Sequence, residues 1–171
     1  PKWADRCSTP DRETSLLADW NEKLPRMVDQ VIRRDVTSLA GVPSWMLVML
    51  EKVLEVTGAS DLCQVWPHLE LFMHGGIAFT PYQEIYRRLI PSSRMRYYEV
   101  YNASEGFFAF QDTAQSKDML LMSAHWIFYE FIPMDQFLKK GQAAAAVPLW
   151  EVRMDTPYAM VITTCGGLWR Y

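Results

Sequence analysis

The residue types best suited to chemistry cluster in one short segment, Tyr101 to Glu105. Tyr101 offers a ring that stacks on a base, and Asn102 an amide that bonds to a ring edge. Ser104 supplies a hydroxyl donor and Glu105 a carboxylate of the kind that holds Mg²⁺. A nucleoside triphosphate needs such groups, but a polar turn between two strands with a solvated Glu105 has the same composition. The residues alone leave both interpretations open.

Two further segments place small or polar residues after a predicted strand. His74-Gly75-Gly76 follows a strand predicted over Leu69–Met73. Its paired glycines allow close backbone approach to a flat ligand, although residue types alone favour a connection that needs a positive φ. Cys165-Gly166-Gly167 leads into Leu168 to Tyr171 and predicts a hairpin that needs no function. Arg170 fits a surface charge as well as a phosphate contact.

Several common catalytic motifs are missing from the sequence. It contains neither G-x-x-x-x-G-K-[ST] nor G-x-G-x-x-G, which argues against a P-loop and a Rossmann fingerprint. G-x-S-x-G and H-E-x-x-H are also absent, and these belong to α/β-hydrolases and zinc proteases.

The first half of the chain is predicted to alternate helices with strands. A helix with one apolar face runs from Thr9-Pro10 to Ile32, and Pro25 is expected to kink or break it. A second helix, Pro43 to Val56, is apolar on most of its circumference, so we expect burial on several sides before Gly58 ends it. A third helix, Thr80 to Leu89, begins with a capping-box pattern.

The second half changes to the period of extended chain. Strands are predicted over Met95–Tyr101, Phe107–Gln111, Met119–Ser123, Ile127–Ile132, Val147–Val152 and Tyr158–Thr164. Alternation followed by a run of strands predicts the α/β class, with a mixed sheet flanked by helices and largely antiparallel later strands. Ligands of such sheets bind beyond the carboxyl ends of strands, where the three polar segments are predicted to lie.

Composition limits the partners. The 171 residues are 50% hydrophobic and 22% charged, which suits one folded domain. A net charge of −3 does not favour a nucleic-acid partner. The longest apolar run, Trp45 to Leu50, falls far short of the ~20 residues that cross a bilayer, so no membrane-spanning segment is expected. No function is attached to the alanine run Ala143 to Ala146.

The cysteines give no metal-binding pattern. Cys7, Cys63 and Cys165 are far apart, and neither C-x-x-C nor a Cys/His cluster is present. The spacing predicts buried, reduced thiols in a cytoplasmic protein. Cys165 is noted because it stands beside two glycines near a candidate site.

Five segments in fixed order make the sequence resemble a known family. They are Gly41-Val-Pro-Ser-Trp45, Leu69-Glu-Leu-Phe-Met-His-Gly-Gly76, Tyr101-Asn-Ala-Ser-Glu-Gly-Phe-Phe108, Phe128-Tyr-Glu-Phe-Ile-Pro133 and Gly166-Gly-Leu-Trp-Arg-Tyr171. The chain resembles the Gretchen Hagen auxin-responsive family of acyl acid–amido synthetases, especially its bacterial members, over nearly its whole length. The resemblance implies part of the large N-terminal domain of a luciferase-like adenylate-forming enzyme.

The resemblance also implies an activity. ATP, with Mg²⁺, converts a small carboxylic acid to an acyl-adenylate with loss of pyrophosphate, and the amine of an amino acid then forms an amide. Two alternatives stay open: an acyl-CoA ligase of the same superfamily, and a non-catalytic binding module that retains the fold.

Residue roles are carried over from the family's motifs. Within Tyr101-Asn102-Ala103-Ser104-Glu105, the first two residues flank the adenine, Ser104 bonds the α-phosphate and Glu105 binds Mg²⁺. Ser104 and Glu105 are therefore the expected catalytic residues, and the loop His74-Gly75-Gly76-Ile77 passes along the adenine. Trp45, Met46 and Phe128 are expected to line the acyl-acid pocket, although for Trp45 and Met46 core packing is the favoured interpretation.

Departures from the family pattern shape the expected domain organisation. The Ser/Thr/Gly-rich phosphate loop, the Gly-Asp that follows the Trp-Arg-Tyr segment, and the C-terminal domain are missing, and His125 is an unexpected residue. We therefore expect residues 1–171 to be part of an adenylating domain whose parent protein is the enzyme, and to be inactive alone.

Overall fold

The computed structural model describes residues 6–139 and 145–171. The chain divides into two compact units: Pro1–Tyr101 with Phe110–Leu120, and Asn102–Ala109 with Leu121–Tyr171. Ala143 and Ala144 of the alanine run lie outside the described residues.

The first unit is a parallel sheet with helices. Its helices are α1 (Arg12–Ser15), α2 (Trp20–Val31), α3 (Pro43–Thr57), α4 (Leu62–Val65) and α5 (Gln83–Leu89), with a 3₁₀ turn at Thr80–Tyr82. Strand β1 (Ser38–Gly41) pairs in parallel with β2 (Leu71–Gly75), and β2 pairs in parallel with β3 (Arg96–Ala103). Parallel pairing places the carboxyl ends of β2 and β3 at one edge of the sheet.

Aromatic side chains fill the centre of this unit. Phe72 on β2 is fully buried and stacks on Tyr86 of α5, with 5.0 Å between ring centroids. The Tyr86 hydroxyl donates a hydrogen bond to the Pro43 carbonyl at 2.7 Å, and the Trp66 indole donates to the Val31 carbonyl at 3.1 Å. These two buried polar groups, on Tyr86 and Trp66, therefore have the partners that burial requires.

The second unit contains a three-stranded antiparallel sheet of β6 (Ile127–Pro133), β7 (Val147–Pro148) and β8 (Tyr158–Thr164), and helix α6 (Met134–Phe137) follows β6. Most of strand β4 (Gly106–Phe110) also lies in this unit. A two-residue strand β5 (Leu120–Leu121) precedes β6. Strand β6 lies between β7 and β8. The buried core of the second unit consists of Phe108, Tyr129 and Ile162. Beyond β8, mutual backbone hydrogen bonds between Ile162 and Tyr171 form the predicted hairpin around Gly166-Gly167.

The predicted α/β class is confirmed, while several predicted details are wrong. Pro25 lies inside helix α2 and does not break it; the break falls at residues 16–19, because α1 ends at Ser15 and Asp19 caps a new helix. Helix α3 is not buried on several sides, since Trp45 remains 71% exposed. Thr80 forms no capping box and opens a 3₁₀ turn without a side-chain cap. Strand β7 ends at Pro148, and residues 149–151 turn into a 3₁₀ helix.

Candidate functional site

The predicted nucleotide segment forms the end of β3 and the turn that follows it. Asn102 and Ala103 end the strand and are exposed, and Ser104 and Glu105 form a two-residue turn before β4. Ser104 is exposed, whereas Glu105 is half-buried. The structure therefore contains the polar turn between strands, but its carboxylate is not simply solvated.

Glu105 lies at the wall of an open cavity in the second unit. The cavity has a volume of about 450 Å³ and is also lined by Phe107, His125, Trp126 and Cys165. Aromatic faces, an imidazole and a carboxylate thus share one space at the end of β8.

Tyr171 is a direct neighbour of the predicted metal ligand. A hydrogen bond to the Glu105 carboxylate is the main cause that raises the pKa of the Tyr171 hydroxyl, and the negative charge of Glu105 adds to it. The Tyr171 hydroxyl therefore stays protonated at pH 7 beside the Glu105 carboxylate.

The two glycines after β2 have structural reasons for their identity. A Cβ at Gly75 would stand 2.3 Å from the Val100 carbonyl oxygen, its register partner on β3. Gly76 has a φ of +82°, which side chains rarely adopt. Gly75 thus allows a close approach to the neighbouring strand β3, and Gly76 supplies the positive φ that the turn requires. Ile77, the last residue of the predicted adenine loop, is 38% exposed.

His74 faces the interior of the first unit. It is 3% exposed and stacks on Phe79 with 4.0 Å between ring centroids. Burial lowers the pKa of the imidazole to about 4, so it is neutral at pH 7. Tyr101, which follows the Gly75–Val100 register pair along β3, is 44% exposed.

The residues predicted for an acyl-acid pocket are not brought together within one unit. Trp45 lines an apolar cavity of about 340 Å³ with Trp20 and Val48, so core packing does not describe it. Met46 packs against the core of the first unit, as core packing predicts. Phe128, on β6 of the second unit, is 52% exposed.

Some residues around Glu105 were not predicted as site residues. His125 appeared only as a departure from the family pattern, and Tyr171 only as the end of a hairpin. Cys165 had a sequence indication, its position beside two glycines near a candidate site. Arg170 pairs with Glu130 at 3.3 Å.

The cysteines differ from expectation in burial. All three are free thiols, as predicted, but Cys7 and Cys165 are exposed and Cys63 is half-buried. Burial is the main cause that raises the pKa of the Cys63 thiol.

The residues around Glu105 suit a metal ion that is bound partly by the substrate and only partly by the protein. Among residues 6–139 and 145–171, no group of three or more His, Cys, Asp or Glu side chains is arranged to hold a metal ion. Mg²⁺ is usually bound through one or two carboxylates with substrate phosphates and water, rather than in an all-protein cage. A single half-buried carboxylate on an open cavity fits that mode. In the same described ranges, no helix has the length and apolar character to traverse a bilayer.

Comparison with known proteins decides the family. The GH3 family N-terminal domain matches residues 1–95, and the GH3 family central domain matches residues 120–171. The chain belongs to the GH3 family. This confirms the resemblance drawn from the five ordered segments.

Curated GH3 relatives are amido synthetases from plants. The chain is 28% identical over 160 residues to indole-3-acetic acid-amido synthetase GH3.8 of Oryza sativa subsp. indica, covering 88% of the chain and 26% of that relative. It is 27% identical over 118 residues to indole-3-acetic acid-amido synthetase GH3.4 of Arabidopsis thaliana, covering 64% of the chain and 19% of that relative.

The fold of the chain is that of a solved GH3 protein. Its structure matches GH3.15 acyl acid amido synthetase with a TM-score of 0.65 and 16% identity, over 92% of the chain and 37% of that protein. The chain thus spans about a quarter or less of the length of the curated relatives it matches.

Proposed function

We propose that this GH3 chain is part of the adenylating domain of an ATP-dependent acyl acid–amido synthetase. The substrates are a small carboxylic acid and an amino acid. The carboxylate of the acid displaces pyrophosphate from the α-phosphorus of ATP, and the amine of the amino acid then displaces AMP from the acyl carbon. Membership in the GH3 family supports the reaction class, because the curated relatives are amido synthetases.

The half-buried carboxylate of Glu105 at the turn after β3 is the observation that carries the proposal. It lines an open cavity of about 450 Å³ and lies beside the Tyr171 hydroxyl, whose pKa it raises. A carboxylate on the wall of an open cavity can hold a cation beside bound phosphates, which a solvated turn residue has no need to do.

The chain's own residues then have distinct roles. Glu105 binds Mg²⁺, which supplies charge stabilisation at the phosphates when it is bound. The exposed Ser104 hydroxyl donates to the α-phosphate, and Tyr101 and Asn102 contact the adenine. Tyr171 positions the Glu105 carboxylate without contacting the reacting atoms.

The remaining expected contacts involve other segments. The backbone of His74-Gly75-Gly76-Ile77 passes along the adenine, since the His74 side chain is buried away from it. Trp45, Met46 and Phe128 are proposed to line the acid pocket in the intact protein. The free thiols fit the reducing environment of the cytoplasm, where we place the protein.

The decisive experiment is acid-dependent exchange of pyrophosphate into ATP by the intact protein, with a panel of carboxylic acids. Glu105→Gln removes the metal ligand and keeps the shape, so we expect exchange to fall about 100-fold. Ser104→Ala should fall as well, whereas Glu151→Gln, on an exposed 3₁₀ turn, should leave the rate unchanged.

Product analysis separates the alternatives. An amide formed when amino acids are supplied supports the amido synthetase, and a thioester formed only with coenzyme A would assign the ligase instead. No exchange with any acid, together with intact binding of ATP, would favour the non-catalytic module.

A further inference from the structure

A second cleft lies in the first unit, and of its lining residues only His74 also belongs to the segments proposed to bind ATP. It has a volume of about 630 Å³ and is lined by α5, by β3 and by residues 111 and 114–117. Gln111 fastens this segment to β3. Its backbone N–H donates to the Glu99 carbonyl at 2.8 Å, its side-chain oxygen accepts from the Glu99 N–H at 3.1 Å, and its side-chain amide donates to the Ser116 carbonyl.

Two buried polar atoms belonging to residues of the cleft wall have no hydrogen-bond partner. They are Nδ1 of His74 and the hydroxyl oxygen of Tyr97. Burial raises the pKa of the Tyr97 hydroxyl to about 12, so it remains a donor at pH 7. Leaving a buried polar group unpaired costs free energy, so such groups ordinarily have a partner. His74 and Tyr97, two residues that line the cleft, therefore each carry a buried polar atom without a hydrogen-bond partner.

The charged side chains around the cleft are mainly cationic. Arg87, Arg96 and Lys117 line it, against one carboxylate, Glu99. Within the described ranges 6–139 and 145–171, no salt bridge joins any of these three cations to a carboxylate. The Arg87 charge is close enough to the Tyr97 hydroxyl to lower its pKa against the effect of burial. Unpaired cations and a buried donor that share one cleft suit an anion.

Aromatic rings give the cleft a flat wall. Phe79 stacks on His74 on one side and on Tyr97 on the other, with 5.2 Å between the Phe79 and Tyr97 centroids. Ligand sites combine such apolar faces with a few convergent polar groups, and this volume lies in their usual range of roughly 300–1,000 Å³.

We propose that this cleft is a binding site for a small molecule that carries an oxyanion, either a carboxylate or a phosphate. Arg87 and Arg96 pair with the oxyanion, the Tyr97 hydroxyl donates to the ligand, and the ring of Phe79 contacts its body. Glu99 opposes the anion and limits its affinity. This site does not depend on the proposed function, because none of its lining residues belongs to the Glu105 cavity.

The test is isothermal titration of the intact protein with two probes, inorganic phosphate and benzoate. We use a Glu105→Gln background, which removes the metal ligand of the proposed nucleotide site. Saturable binding of either probe is expected, and the stronger one identifies the oxyanion. Arg87→Gln should weaken it about tenfold, the loss of one charge-assisted hydrogen bond. Glu99→Gln should strengthen it about threefold by removing a like charge.

Arg88→Gln is the matched control, because Arg88 is exposed on the same helix and does not line the cleft. Binding that Arg88→Gln leaves unchanged and Arg87→Gln weakens supports the site. No saturable binding of either probe, or equal weakening by the two substitutions, would overturn the proposal. Failure of pyrophosphate exchange in the wild-type protein would leave this result intact, so the two proposals fail separately.

Discussion

Single residues of the same type serve different purposes here, and their surroundings decide which. His74 is buried against Phe79, whereas His68 is exposed and lies 2.9 Å from Asp35 through Nδ1. A sequence pattern after a strand cannot separate these two environments. Only the packing of the rings shows that His74 is held in its neutral form.

The first prediction concerns the pH dependence of stability. Burial depresses the folded-state pKa of His74 to about 4 from an unfolded value of 6.5. Between these values the unfolded chain binds the additional proton, so the free energy of unfolding is complete above pH 6.5 and decreases as pH falls toward 4. The loss should be on the order of 3 kcal/mol.

Urea unfolding at pH 7 and at pH 4.5 measures this loss. His74→Gln should flatten the pH dependence, whatever it does to absolute stability, because its side chain does not titrate. His68→Gln is the control and should retain the wild-type slope. Equal slopes for wild type and His74→Gln would show that folding does not lower the pKa of His74.

A second prediction concerns the pair of Tyr171 and Glu105. The carboxylate raises the pKa of the Tyr171 hydroxyl above its ordinary value of 10.0. With tyrosine carbons labelled, NMR titration should show Tyr171 ionising at higher pH than a free tyrosine. Glu105→Gln removes the negative charge and should return the pKa toward 10.0, whereas Glu151→Gln should not. An unchanged Tyr171 titration in Glu105→Gln would contradict the contact.

The sequence motif singled out Glu105 as a candidate site residue, but it did not predict that Tyr171 lies beside it. Tyr101 to Glu105 is contiguous in the sequence, so residue types and spacing suffice to single it out. Tyr171 lies beside Glu105 only because the chain folds back along β8. A local sequence pattern cannot predict that two residues so far apart in the chain become neighbours. His125 and Cys165 join the same cavity for the same reason.

At the scale of elements, the spacing of neighbouring strands fixes residue identity more strictly than turn geometry does. Gly75 pairs with Val100 so closely that a Cβ would overlap the carbonyl oxygen at 2.3 Å. Gly58, which ends α3, has a φ of +68° but open space around it. At Gly75 a side chain is excluded by a steric clash, whereas at Gly58 it is disfavoured only by the positive φ.

These glycines give a third prediction. Gly75→Ala forces β2 away from β3, because the contact is with backbone and cannot be relieved by a rotamer change. We expect a loss of about 3 kcal/mol or more in the free energy of unfolding. Gly58→Ala should cost only about 1 kcal/mol, the cost of a positive φ. Chemical denaturation measures both, and equal losses would show that the strands move apart freely.

Elements were predicted well where a local cause dominates and less well where long-range packing decides. Helix α3 ends at Thr57 before the left-handed Gly58, one residue beyond the predicted end, and β8 has its predicted bounds. The break before α2 was misplaced because the cap at Asp19 outweighs the single hydrogen bond lost at Pro25. The burial of α3 was overestimated because apolar composition does not show that Trp45 faces outward.

At the scale of the whole molecule, two units with unequal cores share one chain. The core of the first contains fully buried aromatics such as Phe72 and Tyr86, and that of the second consists of Phe108, Tyr129 and Ile162. The length and composition predicted enough apolar material for a core, but they could not show how unevenly it is distributed. Stability follows buried apolar surface, so the units should differ in stability.

Hydrogen exchange on the 171-residue chain tests this difference. Strand β2 carries the buried Phe72 and pairs with a parallel strand on each side. Its amides become accessible only when the larger core is disrupted, so they should exchange slowly. Amides of β8 depend on a core of three buried hydrophobic residues and should exchange at least about tenfold faster, which corresponds to about 1.4 kcal/mol of opening free energy. Ile162→Ala should accelerate exchange in β6 and β8 while leaving β2 unchanged. Val53→Ala, in the core of the first unit, should do the reverse. If both substitutions accelerate exchange throughout the chain, the two units unfold as one and their separate cores do not set separate stabilities.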